Sequence, residues 1–213
     1  MSTVSSPPRA TLVASRLGRA GGLLVTRLAD ERTLDELRAE AFASCASAQR
    51  SEVPEPSGDG EQRGQPERRI ATSVGGPVLA EFFTSGATLA MLYSLTGVRW
   101  TPFGNQGTFS FYGPGDHLGI HRDAPGCDLA LITCVYDDGA PDAPGGELVV
   151  YPGRSSQTIA PIRADPGCGA HTVRVAPGET AILLGGIVPH RVTEIGRGRL
   201  RVVAPLCYSV LAD

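Results

Sequence analysis

FYGPGDHLGIHRD, residues 111–123, sets two histidines, an arginine and two aspartates among apolar residues, at the point where a core strand should begin. On a strand, side chains two apart project to the same side. His121 and Asp123 therefore point together, and Arg122 points away between them. A ring nitrogen and a carboxylate oxygen offered side by side can reach one metal ion. The whole chain has only 4 histidines in 213 residues, so placing two of them within this stretch is a concentration that asks for a use.

Outward from this stretch the texture is β. TFSFY, HLGIHRD, LALITCVY, ELVVY, HTVRV, TAILLGG, HRVTEI and RLRVVAPLCYSV follow one another, punctuated by GPGD, DAPGG and APGE. Short apolar or alternating runs broken by turn residues predict a double-sheet β fold, a jelly roll over about 100–210. Upstream, GLLVTR at 22–27 reads as a short strand. TLDELRAEAFASCASA reads as a helix with one buried face (Leu34, Leu37, Ala41, Phe42, Cys45), opened by a capping box of Thr33 and Glu36. From Pro77 to Thr96 the apolar spacing is helical again, with two helices meeting near Ser85 and Gly86. Residues 50–69, rich in proline, glycine and charge, predict a long loop able to act as a lid. Residues 1–20 predict a mobile tail, the rest a single domain whose helical part spans 30–97.

Composition narrows the function classes. A net charge of −3 gives no reason to expect a nucleic-acid partner. All 19 basic residues are arginine, so any buried anion must be held by a guanidinium. Five cysteines (Cys45, Cys127, Cys134, Cys168, Cys207), odd in number and without CxxC spacing, predict reduced, mostly buried thiols. The N-terminus has no signal-peptide pattern and no segment reads as membrane-spanning, which predicts a cytoplasmic protein without a membrane partner.

A metal centre needs a further ligand, and His117, His171 and His190 are the candidates. His190 has the most telling context: it follows an apolar strand and turn, TAILLGGIVPH, and precedes a strand carrying Arg199 and Arg201, which alternation would put on one face. His117 reads as a turn histidine near the surface, His171 as a strand-edge residue. Arg122 reads either as a contact at the pocket mouth or as a solvated side chain. Two histidines and one carboxylate on one face of a metal leave the opposite positions open, the arrangement of non-haem Fe(II) oxygenases.

Between about Thr108 and Ser209 the sequence resembles the Fe(II)/2-oxoglutarate-dependent dioxygenases, in their prolyl-hydroxylase-like branch. The resemblance rests on FYGPGDHLGIHRD, on GGELVVYPG at 145–153, and on APGETAILLGGIVPHRV followed by the arginine strand. It implies a mainly β, double-stranded β-helix fold with N-terminal flanking helices. It also implies His121, Asp123 and His190 as Fe(II) ligands, O2 as reactant and 2-oxoglutarate as cosubstrate. A basic residue about ten positions past the distal histidine would hold the C5 carboxylate; counting from His190 favours Arg199, counting back from Tyr208 favours Arg201, and Arg201 is preferred. Tyr112 falls where relatives keep a hydroxyl near the cosubstrate, and Gly145 and Gly146 where they turn into the next strand.

The implied activity is hydroxylation of an unactivated C–H bond of a small molecule, amino acid or peptide, with release of succinate and CO2. A carboxylate at 123 speaks against halogenation, since related halogenases leave that place to chloride. Two alternatives stand beside this reading: a catalytically silent β-helix module that binds a ligand, and a cupin-type metalloenzyme that does not use 2-oxoglutarate.

Overall fold

The computed structural model describes residues 9–54, 63, 66–104, 107–140 and 143–211. The chain opens with helices α1 (Arg9–Ala14) and α2 (Arg16–Arg19), strand β1 (Leu23–Arg27) and helix α3 (Glu31–Ser44). Strands β2 (Gln49–Val53) and β3 (Arg68–Val74) precede helices α4 (Pro77–Thr84) and α5 (Gly86–Thr96). Strands β4 (Trp100–Phe103), β5 (Thr108–Tyr112), β6 (His117–His121), β7 (Leu129–Asp137) and β8 (Leu148–Val150) follow, then helix α6 (Ile159–Ala164). The chain finishes with β9 (His171–Val173), β10 (Glu179–Leu183), β11 (His190–Val192) and β12 (Arg201–Val210).

These strands form one curled sheet in the order β1-β10-β7-β12-β5-β3-β6-β11-β8-β9, with β2 added to β3 and β4 to β12. Pairing between the named strands is antiparallel throughout. This is the double-stranded β-helix with flanking helices.

Strand alternation divides the interior in two. On β5, Phe109 and Phe111 pack into the large core beneath the helices, whereas Ser110 and Tyr112 line a cavity on the other face. On β7, Leu129 and Leu131 face the helices, and Ala130 and Ile132 the cavity. On β12, Val202, Ala204, Leu206 and Tyr208 alternate with the cavity-lining Arg201, Val203, Pro205 and Cys207. The helices complete the first layer with Leu34, Leu37, Leu79, Phe83 and Leu92, all at most 1% exposed. Removing so much apolar surface from water is the main force closing the sheet against them.

The eight strands read from the sequence after Trp100 all form, and the two helices meet at Ser85, whose hydroxyl accepts from the Thr88 N–H. Elsewhere local readings give way. The α3 cap is Asp30, accepting from Thr33 N–H at 2.8 Å, so the cap lies three residues ahead of the predicted Thr33 of the Thr33–Glu36 box. Phe42 is 43% exposed and stacks edge-on with Tyr136, and Cys45 is exposed, so the buried face is Leu34, Leu37 and Ala41 alone. Residues 9–20 are not a tail: they form α1 and α2 and bury Leu12 and Leu17. The first eight residues lie outside the described ones.

Of the predicted loop at 50–69, Arg50–Val53 belongs to β2 and pairs with Arg68–Ala71 of β3. The segment 55–62, where a lid would have to lie, is outside the described residues. Taken together, Pro77–Thr96 is long and apolar enough to cross a membrane, contrary to the sequence reading. The chain breaks it at Ser85, where φ −58° and ψ 140° leave the helical region, and packs Leu79, Phe83 and Leu92 into the core. Finally, Cys127 and Cys207 form a disulfide. Only Cys45, Cys134 and Cys168 are free. The two partners are 80 residues apart in sequence, so spacing alone could not pair them.

Candidate metal centre

The site is built by one strand pair and one turn. β6 and β11 run antiparallel with His121 directly opposite His190, which brings the two imidazoles to a centroid separation of 4.3 Å. β6 ends at His121. Asp123 stands just beyond it, its N–H donating to the Gly185 carbonyl at 2.9 Å, and this bond turns its side chain back toward the rings. Asp123 Oδ1 lies 3.6 Å from His121 Nε2 and 3.5 Å from His190 Nε2. Two metal–ligand bonds of about 2.1 Å can span up to about 4.2 Å, so these atoms can share one ion.

Each imidazole is held in the tautomer a metal requires. His121 Nδ1 lies 2.9 Å from the Gly119 carbonyl, and His190 Nδ1 lies 3.0 Å from the Val188 carbonyl. A carbonyl only accepts, so both Nδ1 atoms carry the proton, and Nε2 is the atom turned to the shared point. Asp123 Oδ2 is buried and has no hydrogen-bond partner among the described residues. A buried carboxylate oxygen left without a donor is costly, and a cation at this point removes the cost. The donor set and the orphaned oxygen thus fit a divalent metal.

The electrostatics of the three side chains agree. Burial lowers the His121 pKa, helped by the neighbouring His190. Burial works against protonated His190 as well, but Asp123 outweighs it and raises that pKa. Burial alone would raise Asp123; the two histidines instead hold it well below the usual carboxylate range. The carboxylate is thus favoured in its ionised form beside the two rings, the form that binds a cation.

Glycines make the room. A Cβ on Gly185 would sit 1.8 Å from Asp123 Oδ2, and one on Gly146 would sit 2.9 Å from Arg201 Cδ. Gly145 and Gly146 both have left-handed φ, 93° and 75°, where other residues are strained.

The triad opens onto a cavity of about 130 Å³ whose wall is mostly apolar: Ile70, Leu118, Ile132, Leu148, Val192 and Val203 among others. Arg201 and Tyr112, register partners on β12 and β5, line the same cavity. Arg201 donates to Asp137 Oδ2 at 2.7 Å and to the Val175 carbonyl at 2.8 Å. Its remaining N–H groups have no acceptor among the described residues. Tyr112 is buried, and burial raises its pKa, so its hydroxyl stays protonated.

Arg199 has a different place from the one alternation predicted. It precedes β12, does not line the cavity, and is spent on Asp137 and on the carbonyls of Ala143, Pro144 and Gly145. Arg122 is neither solvated nor at a pocket mouth: it is 8% exposed and bonded to three carbonyls. His117 is paired with Glu67 over a separate groove, and His171 is exposed on β9. Sequence reasoning missed Asp137, which holds both Arg199 and Arg201; the acidic pair in VYDDG, closing β7 opposite the arginine strand, was the available signal. It missed Ser110 as a cavity residue too, although its place two before Tyr112 on β5 implies it.

No family model and no functionally curated protein matches the sequence. Solved structures do match. A prolyl-4-hydroxylase from Pseudomonas putida superposes with a TM-score of 0.60 at 16% identity, over 95% of this chain and 97% of that one. SnoK, a non-haem α-ketoglutarate-dependent carbocyclase of nogalamycin biosynthesis, gives 0.69 at 15% identity over 100% and 88%. The epimerase SnoN, solved with Fe3+, α-ketoglutarate and nogalamycin RO, gives 0.69 at 17% over 95% and 84%. Over nearly its full length the chain therefore has the fold of the Fe(II)/2-oxoglutarate oxygenases, prolyl hydroxylases included. A fold hosts more than one chemistry; the three neighbours already include a hydroxylase, a carbocyclase and an epimerase.

Proposed function

We propose that the protein is an Fe(II)- and 2-oxoglutarate-dependent oxygenase that hydroxylates an unactivated C–H bond of a small molecule. The observation that carries this reading is the His121–Asp123–His190 cluster sharing one cavity with Arg201. When bound, iron and 2-oxoglutarate would supply oxidation of a C–H bond coupled to formation of succinate and CO2.

The residues divide the remaining tasks. His121 and His190 would bind through Nε2, and Asp123 through its carboxylate, leaving the opposite side of the ion for reactants. Arg201, already oriented by Asp137 and the Val175 carbonyl, would take the distal carboxylate of the cosubstrate through charge-assisted hydrogen bonds. Tyr112 would donate its protonated hydroxyl to the same ligand. Ile132, Leu148, Val192 and Val203 exclude water, which strengthens every polar contact inside.

The small-molecule assignment rests on two supports. The cavity is smaller than the roughly 300–1,000 Å³ of a drug-sized site, so it suits the cosubstrate and the reacting end of a substrate whose remainder lies outside. Two neighbours in fold are named for the biosynthesis of a small molecule, nogalamycin. An amino acid or peptide is the second reading, supported by the prolyl-hydroxylase neighbour. Succinate release from 2-oxoglutarate, screened over small molecules, amino acids and peptides, tests both. Turnover dependent on Fe(II) and abolished in His121→Ala is expected; a native protein that binds 2-oxoglutarate yet never releases succinate would be a silent binding module.

A further inference from the structure

The three ligands of the triad are not held in the same way. Each histidine has its ring fixed by a carbonyl on Nδ1. Among the described residues the Asp123 side chain meets only the two imidazoles, at 3.5 and 3.6 Å, and its Oδ2 has no hydrogen-bond partner. No described residue outside the triad bonds to this side chain, so its place depends on where the main chain of residue 123 is held.

The Gly185 carbonyl accepts the Asp123 N–H at 2.9 Å, and two arginines hold the chain on either side of that bond. Arg122, between the two ligands, reaches outward: Nε donates to the Ile187 carbonyl at 2.9 Å, and Nη2 to Ser155 and Gln157 carbonyls at 3.0 and 2.7 Å. Ile187 lies in the turn that delivers His190, so this one side chain ties the two halves of the triad together. Arg63 approaches from the other side and bridges to Arg122 through its main chain. Its Nε donates to the Asp123 carbonyl at 2.8 Å and its Nη2 to those of Ala124 and Cys127 at 3.1 and 3.2 Å. Gly186 leaves the space for it, since a Cβ there would lie 2.6 Å from Nη2.

Among the described residues Arg122 has no carboxylate partner, and burying a guanidinium against neutral carbonyls is expensive. A hydrophobic side chain would fill the same place without that cost, but it could not fix three carbonyls at set distances. We propose that Arg122 and Arg63 are positioning residues that hold the carboxylate ligand of the metal through its main chain. This rests on the oxygenase reading only in taking His121, Asp123 and His190 as a metal site.

Co(II) alone is the probe, titrated into the metal-free full-length protein and followed by its visible absorption. Loss of an outer partner of a metal ligand costs about 10–100-fold in metal affinity. Arg122→Met and Arg63→Met are each expected to weaken Co(II) by at least about 10-fold and to change the absorption at saturation, because Asp123 no longer meets the ion at its native angle. Arg63→Lys restores part of the loss through the Asp123 carbonyl. Arg63 is partly exposed and also pairs with Asp128 at 3.5 Å, so the thermal midpoint of each metal-free variant is measured beside its affinity to separate positioning from folding. Native affinity and native absorption in both Met variants would overturn the proposal, as would losses that vanish when each variant is compared at the same distance below its own midpoint. If the native protein itself takes no Co(II), the metal site falls and the clasp with it; if the native protein binds and the variants match it, the clasp alone falls.

Discussion

Replacing Gly185 with alanine should remove metal binding while sparing the fold. The added Cβ would lie 1.8 Å from Asp123 Oδ2 and 2.7 Å from its Cγ, whereas ordinary contact begins near 3.4 Å. The carboxylate must therefore retreat by about 1.6 Å, several times the tolerance of about 0.5 Å within which a site keeps its productive geometry. Gly185 does not have a left-handed φ, so the backbone accepts alanine and the strain falls on the carboxylate alone. Asp123 can yield outward, its side chain being 16% exposed, which limits the effect on folding. Losing one of three ligands should weaken Co(II) by at least about 100-fold, more than the loss of an outer-shell partner. Isothermal titration with Co(II), next to thermal melts of the metal-free proteins, reads both quantities. A Gly185→Ala protein that binds Co(II) within a few-fold of native would refute the placement of Asp123 in the site.

Arg201→Ala should weaken 2-oxoglutarate by at least about 30-fold, the counterpart of a loss of about 2 kcal/mol or more for a truncated buried ionic hydrogen bond, as measured by equilibrium binding to the metal-loaded protein. Cys127→Ser with Cys207→Ser removes a cross-link over 80 residues and should cost about 2–4 kcal/mol, seen as a fall in thermal midpoint of roughly 4–16 °C; the same fall should follow reduction of the native protein by a dithiol. Burial would raise the Asp137 pKa, but Arg199 and Arg201 outweigh it and hold the group below the ordinary carboxylate value. Its stabilising contribution is therefore complete above about pH 3.9 and disappears as pH falls through the lower folded value. Urea midpoints between pH 5 and pH 2 should decline less steeply in Asp137→Asn than in the native protein.

What the sequence made legible was set by periodicity and by rare residue types. Strands such as LALITCVY and TAILLGG declare themselves because one or both faces are buried, and the period-2 rule carried His121 and Asp123 to one side. The distal histidine was found because PHRV sits between an apolar strand and an arginine strand. Features set by chain crossings were hidden. β2 and β3 carry Arg50, Arg68 and Arg69, whose charges mask a strand that β5 and β6 pair with over long sequence distances. The Cys127–Cys207 bridge joins a turn to the inward face of β12. The choice between Arg199 and Arg201 turned on where β12 starts: Arg201 is its first residue and lines the cavity, whereas Arg199 lies before the strand, where alternation does not govern it. Arg122 was misjudged because its carbonyl partners lie on two loops 33 and 65 residues away.

The proposed function requires one cavity to take a divalent iron on three side chains and a dicarboxylate on Arg201. Anaerobic addition of 2-oxoglutarate to the Fe(II)-loaded protein, followed by visible absorption, addresses both halves at once. A weak charge-transfer band that saturates at one equivalent and is lost in His190→Ala is the predicted result. An absorption unchanged by 2-oxoglutarate, in a protein shown to have taken up Fe(II), would contradict it.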